Sequence, residues 1–198
     1  MLDEDIRSAL KSSLREKDSA AAILEELPLL RGRGRADLAF VNGELCGFEI
    51  KSDVDSLVRL GTQTDHYQSV FEFVTLVAAR KHLKDARKRI PRSWGIIEAQ
   101  EIDGHVALQE RRRPRRNHSF DNAALARILW KKECLRILSK SDMRTSPHTP
   151  IREIWKLIES LPSRTLCDEV RKALKLRNGI VEAPKTLYDG LHTTEAIE

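Results

Sequence analysis

Between residues 35 and 51 the chain reads RADLAFV, then Asn42-Gly43, then ELCGFEIK. Alternation on both sides of an Asn-Gly pair is the pattern of two antiparallel strands joined by a tight turn. The pair predicts a type I′ turn, with positive φ at both positions. Side chains on a strand alternate between faces, so the hairpin fixes phase as well as topology. Leu38 and Phe40 share one face with Cys46, Phe48 and Ile50. The opposite face carries Asp37 on the first strand, and Leu45, Gly47, Glu49 and Lys51 on the second. Two carboxylates and an ammonium thus converge on one side of the hairpin, where Arg35, Ala39 and Val41 also lie.

The flanking pattern sets the fold class. An apolar stripe of Ile6, Ala9, Leu10 and Leu14 predicts a helix over 3–16. A strand-like run covers 20–30, and RGRG at 31–34 is a connection. Leu57, Leu60, Thr64, Tyr67 and Phe71 predict a helix over 55–71. FVTLVAA at 73–79 is continuous apolar sequence, as in a central strand. A basic helix over 81–90 stops at Pro91, and a buried strand at 93–99 pairs with 105–110 across Asp103-Gly104. The order αβββαβαββ predicts an α/β sandwich around a mixed sheet. After it comes the run RRRPRRNH, and then only helical segments: 121–139, about 151–160 and 165–177, with a Ser/Pro/Thr loop at 145–150. The expected division is a sheet domain over 1–110, a basic linker at 111–118, a helical region over 119–180 and an irregular tail at 181–198. Trp130 and Trp155 lie on apolar stripes and are expected in the core.

Charge divides the chain unevenly. Residues 1–110 hold 16 Lys and Arg against 19 Asp and Glu, a net of −3; residues 111–198 hold 19 against 11, a net of +8. A basic half suits an anionic partner, with nucleic acid foremost and a solvated surface as the competing role. No apolar run approaches the roughly 18 residues of a membrane span, and the acidic, amphipathic start does not resemble a secretory signal. Cys46, Cys134 and Cys167 stand apart without a CxxC pair, which fits a reducing cytoplasm and argues against zinc. The histidines form no HxxxH or HExxH, and GRGR at 32–35 lacks a nucleotide-binding spacing. The chain is therefore expected to be cytoplasmic, away from membranes and without a nucleotide cofactor.

Paired carboxylates are the hard oxygen ligands that Mg²⁺ prefers, and a cation relieves their mutual repulsion. A lysine beside them can stabilise charge on phosphoryl oxygens or position a water. That is equipment for metal-assisted phosphodiester hydrolysis. Asp37 followed by Glu49-Ile50-Lys51 resembles the D…ExK signature of the PD-(D/E)xK nuclease superfamily, and the element order resembles its restriction-endonuclease-like αβββαβ core. Gln63-Thr64-Asp65-His66-Tyr67 resembles the QxxxY motif of its RecB-like branch, and residues 35–71 look like small bacterial members of the superfamily. The likeness covers about residues 3–100. Arg35-Ala36 stands before Asp37, where the superfamily name has a proline. An ExK alone is a weak signal; the hairpin, shared phase, following helix and QxxxY together make it specific.

The resemblance implies Mg²⁺ or Mn²⁺ held by Asp37 and Glu49, with the Ile50 carbonyl as a further ligand and Glu26 as a possible one. Glu25 competes with Glu26, since neither phase decides. Lys51 is then the catalytic lysine. Gln63 and Tyr67 hold substrate backbone or orient Lys51, although Tyr67 lies in an apolar stripe where packing competes. Arg35 and Arg59 are candidate phosphate contacts near the site. Arg111, Arg112, Arg113, Arg115 and Arg116 are candidates in the basic run. His66 is expected at the surface without a role. The expected function is a metal-dependent nuclease acting on DNA. The alternatives are a nuclease-fold nucleic-acid-binding protein with an idle site, or an RNA-cutting toxin.

Overall fold

The computed structural model describes residues 1–143 and 145–179, so the expected tail at 181–198 lies outside the described residues. The elements run α1 (Asp3–Lys17), β1 (Ala22–Leu29), β2 (Gly34–Val41), β3 (Leu45–Lys51), α2 (Leu60–Gln68), β4 (Phe73–Ala79), α3 (Leu83–Arg89), β5 (Gly95–Ile102) and β6 (His105–Arg112). Four helices follow: α4 (Asn122–Ala126), α5 (Lys131–Lys140), α6 (Ile151–Glu159) and α7 (Ser163–Arg177). The six strands form one sheet in sequence order. β1, β2 and β3 are antiparallel, β3, β4 and β5 are parallel, and β6 returns antiparallel to β5. The mixed α/β sheet and the helical C-terminus agree with the sequence reading. No helix among the described residues is long and apolar enough to cross a membrane.

Both faces of the sheet are buried at its centre, in β3 and β4, while β6 at the edge has no fully buried residue. Ile6, Leu10 and Leu14 of α1 pack on Leu38, Phe40, Phe48, Ile50 and Val77. On the other face Ala39, Val41, Leu45, Leu76 and Ala78 meet Leu60 and Tyr67 of α2, and the same core runs on through the C-terminal helices to Leu166, Val170 and Leu174. Gly47 is what lets this layer approach: a Cβ there would lie 2.6 Å from the Phe71 ring.

Three local expectations change. Val41 pairs with Leu45, so three residues connect β2 to β3, and neither Asn42 nor Gly43 has positive φ. The Asn42 side chain instead accepts from Glu44 N–H at 3.1 Å and closes the turn. A turn with positive φ at both positions does occur at Asp103-Gly104, with φ of 50° and 75°. The helix expected over 121–139 is broken into α4 and α5, with Trp130 at the N-cap of α5 and 52% exposed rather than in the core. Finally, 111–118 is not a free connection. Arg111 and Arg112 end β6, Arg112 donates to the Trp94 and Pro91 carbonyls, and Arg116 bridges the buried carboxylates of Glu44 and Glu72 at 2.6 and 2.8 Å.

Candidate active site

The sheet comes apart at one level. β2 and β3 pair from Val41↔Leu45 as far as Leu38↔Phe48 and no further. β1 and β2 pair on either side of Glu26 and Asp37 but skip both, and Glu26 has φ of 55°. Glu26, Asp37 and Glu49 thus occupy matching positions on three adjacent strands, where the ladders are interrupted. Backbone groups released by such a break must find partners or cost stability. Tyr67 of α2 supplies two: its hydroxyl accepts from Asp37 N–H and donates to the Phe48 carbonyl, each at 3.0 Å. Asp37 Oδ2 accepts from Ile50 N–H at 2.8 Å, and Arg7 Nη1 donates to the Asp37 carbonyl. The fork is held open by hydrogen bonds from α1, α2 and its own aspartate.

The fork opens into a cleft of about 720 Å³. Asp37, Glu49, Ile50, Lys51, Gln63 and Tyr67 all line it, as do Glu26, Arg35 and Arg59. Glu49 is fully buried; its Oε1 accepts from Lys51 Nζ at 2.5 Å, while its Oε2 is buried without a hydrogen-bond partner. Burial, and then the Glu49 charge, push the Asp37 carboxyl up to about 7, against the pull of Ile50 N–H and Lys51. Burial and the same two carboxylates keep the Tyr67 phenol protonated, well above its ordinary range. Gln63 Oε1 is also buried and unpartnered. Glu26 shares the cleft, but its carboxylate is engaged by Arg7 at 3.2 Å and by Arg35.

This donor set fits a hard divalent cation. Two neighbouring carboxylates at mutual disadvantage, one with an unpartnered oxygen, are stabilised by positive charge between them. Among the described residues no group of three or more His, Cys, Asp or Glu is placed to hold a metal. Asp37 and Glu49 both line the cleft, as does Ile50. Mg²⁺ is commonly bound through one or two carboxylates, with water and substrate completing its shell.

Four cleft residues had little or no sequence signal. Arg7 sits between Ile6 and Leu10 on a helix whose pattern reads only as amphipathic. Arg33 and Asp55 come from loops on either side. His66 also lines the cleft, packed over Gly34 where a Cβ would stand 2.3 Å from its Nδ1; a glycine opposite the QxxxY helix was the available clue. Conversely, none of Arg111, Arg112, Arg113, Arg115 or Arg116 lines the cleft. Arg111 pairs with Glu98 and Arg113 with Glu110, while Arg115 is exposed.

Residues 4–183 match the family described as Bacteriophage P4 protein cII. Protein cII of Enterobacteria phage P4 is 38% identical over 109 residues, covering 54% of this chain and 41% of that protein. The match thus spans about two fifths of the curated relative's length. Among solved structures, the SPO1766 protein of unknown function from Silicibacter pomeroyi superposes with a TM-score of 0.46 at 13% identity, over 76% of this chain and 98% of that one.

Proposed function

The chain belongs to the Bacteriophage P4 protein cII family, and we propose that its cleft is the active site of a divalent-metal-dependent nuclease acting on DNA. The observation that carries this reading is the fork itself. Regular pairing is given up where Asp37, Glu49 and Lys51 meet, and helices contribute the hydrogen bonds that keep it open. A structural role does not ask for two carboxylates and a lysine packed at the head of an open cleft, because such a group is costly to bury.

Asp37 and Glu49 would hold Mg²⁺ or Mn²⁺, which supplies Lewis-acid polarisation and a more acidic bound water. Lys51, bonded to Glu49, keeps its ammonium fixed at the cleft wall to stabilise charge growing on a non-bridging phosphate oxygen. Gln63 offers an unpartnered amide oxygen to orient water or substrate. Tyr67 acts through Asp37, by holding its backbone away from Phe48. Arg33, Arg35 and Arg59 are exposed along the cleft and suit contacts to the phosphodiester backbone.

The test is incubation of the purified protein with supercoiled, linear and single-stranded DNA and with RNA, in Mg²⁺, Mn²⁺ or chelator. Metal-dependent cleavage of DNA that is lost in Lys51→Ala, with the fold retained, is the expected result. Absence of cleavage of every substrate with either metal would leave the site idle and remove the proposal. Cleavage confined to RNA would reassign the substrate.

A further inference from the structure

A second aromatic and basic cluster shares no residue with the cleft. Trp130 caps α5, and its indole is half exposed. Arg177 of α7 places its guanidinium 4.2 Å from the ring centroid, and it is fixed there by Glu133 at 2.8 and 2.5 Å and by the Ile128 carbonyl at 2.8 Å. The Lys132 ammonium lies 4.9 Å from the same ring. Between α5 and α7 is a hollow of about 260 Å³, walled by Trp130, Lys132, Arg136, Ala173 and Leu176. Leu176 is 46% exposed, and Arg136 Nη2 is buried without a hydrogen-bond partner.

These features call for a ligand that is flat and apolar on one side and anionic on the other. The indole and Leu176 need a surface to cover, while Arg136 lacks an acceptor. Glu133, the acidic residue lining the hollow, is already taken up by Arg177 and by Trp130 N–H. Lys131 and Lys132 continue the positive surface along α5. A nucleobase with its phosphate has both properties, and base stacking on an aromatic ring combined with a basic path is the usual way of gripping single strands. Duplex DNA hides its base faces and does not meet the indole. We infer that the hollow between α5 and α7 binds single-stranded nucleic acid, one base stacking on Trp130 and its phosphate meeting Arg136 and Lys132.

The full-length chain is tested in chelator, so that metal-dependent cleavage plays no part. Trp94 and Trp155 are 1% and 8% exposed, which leaves Trp130 as the indole a ligand can reach among them. The probes are an oligothymidylate of about 12 nucleotides, matching the site sizes of single-strand binders, a duplex of the same length, and polyglutamate. The oligothymidylate is expected to quench tryptophan fluorescence more strongly than the duplex. Read by the fluorescence anisotropy of a dye-labelled oligothymidylate, Trp130→Ala is expected to weaken single-strand affinity by about tenfold or more, while Trp130→Phe keeps most of the affinity. Arg136→Gln is expected to flatten the log–log salt dependence by about 0.7. Thermal melts check that each variant folds; should Trp130→Ala fail to fold, Trp130→Phe and Arg136→Gln carry the test. Unchanged single-strand affinity in Trp130→Ala overturns the inference. So does quenching by polyglutamate with none by oligothymidylate, which makes the hollow a peptide site. The readout needs neither metal nor cleavage, so it stands or falls apart from the nuclease reading.

Discussion

At Asp37 the proposed function and stability oppose each other. Its folded-state pKa of about 7 lies above its ordinary value of 3.8, so between those values the folded protein holds more protons than the unfolded chain. The stability this gives is fully present below about pH 4 and is lost as pH rises through about 7. Urea melts in chelator should therefore show a midpoint that falls over that window from this group, and Asp37→Asn should flatten the fall. The amide can still accept from Ile50 N–H, so the variant is expected to be at least as stable as the parent at pH 8 yet inactive. A cation bound as proposed would displace the same proton. Calorimetric affinity for Mn²⁺ should rise toward tenfold per pH unit below about 7 and level off above it. Tyr67 gives a different result. Tyr67→Phe keeps the ring contacts with Phe71 and Trp94 but strips two buried backbone groups of their partner. It should cost about 1–3 kcal/mol in urea melts.

At the level of elements, the hairpin phase was the most legible part of the chain. Strict alternation allowed one placement of Asp37 relative to Glu49 and Lys51, and the three meet in the cleft. The continuous apolar run at 73–79 likewise became the buried strand β4. What the pattern could not carry was decided by tertiary partners. The Asn42-Gly43 turn takes a three-residue form in a setting where Glu44 is pinned by Arg116 and Leu45 N–H by Glu72. Arg7 enters the site from a helix whose stripe shows only its apolar side. Trp130 has core-like spacing, but the break between α4 and α5 turns it outward. Close layer packing is itself testable. Gly47→Ala places a methyl group against Phe71, and should cost about 1–3 kcal/mol by overpacking, measured by chemical denaturation.

Across the whole molecule, the basic half is tied to the sheet rather than appended to it. One core runs from Ala22 and Val41 to Val170 and Leu174. Arg116 and Arg171 both reach Glu72, at 2.8 and 2.5 Å. A chain cut after Glu110 is therefore expected to lose near-UV circular dichroism and bind hydrophobic dyes, instead of surviving as a weaker binder. Arg116→Ala should destabilise by about 3 kcal/mol or more, because it takes a cation from two buried carboxylates. Arg113→Ala, at an exposed pair with Glu110, should change stability by less than about 1 kcal/mol. The fork has a last consequence, which concerns descent. Its opening depends on a few contacts to side chains, and the alternative to an open fork is a sheet that simply finishes pairing. A lineage that loses the Tyr67 hydroxyl or Arg7 gives up the hydrogen bonds that hold the fork open while keeping the apolar cores on both sides of the sheet. On the proposed reading, relatives that keep the fold but not the open fork are one or two substitutions away, and Tyr67 joins the carboxylates as a residue by which to sort them.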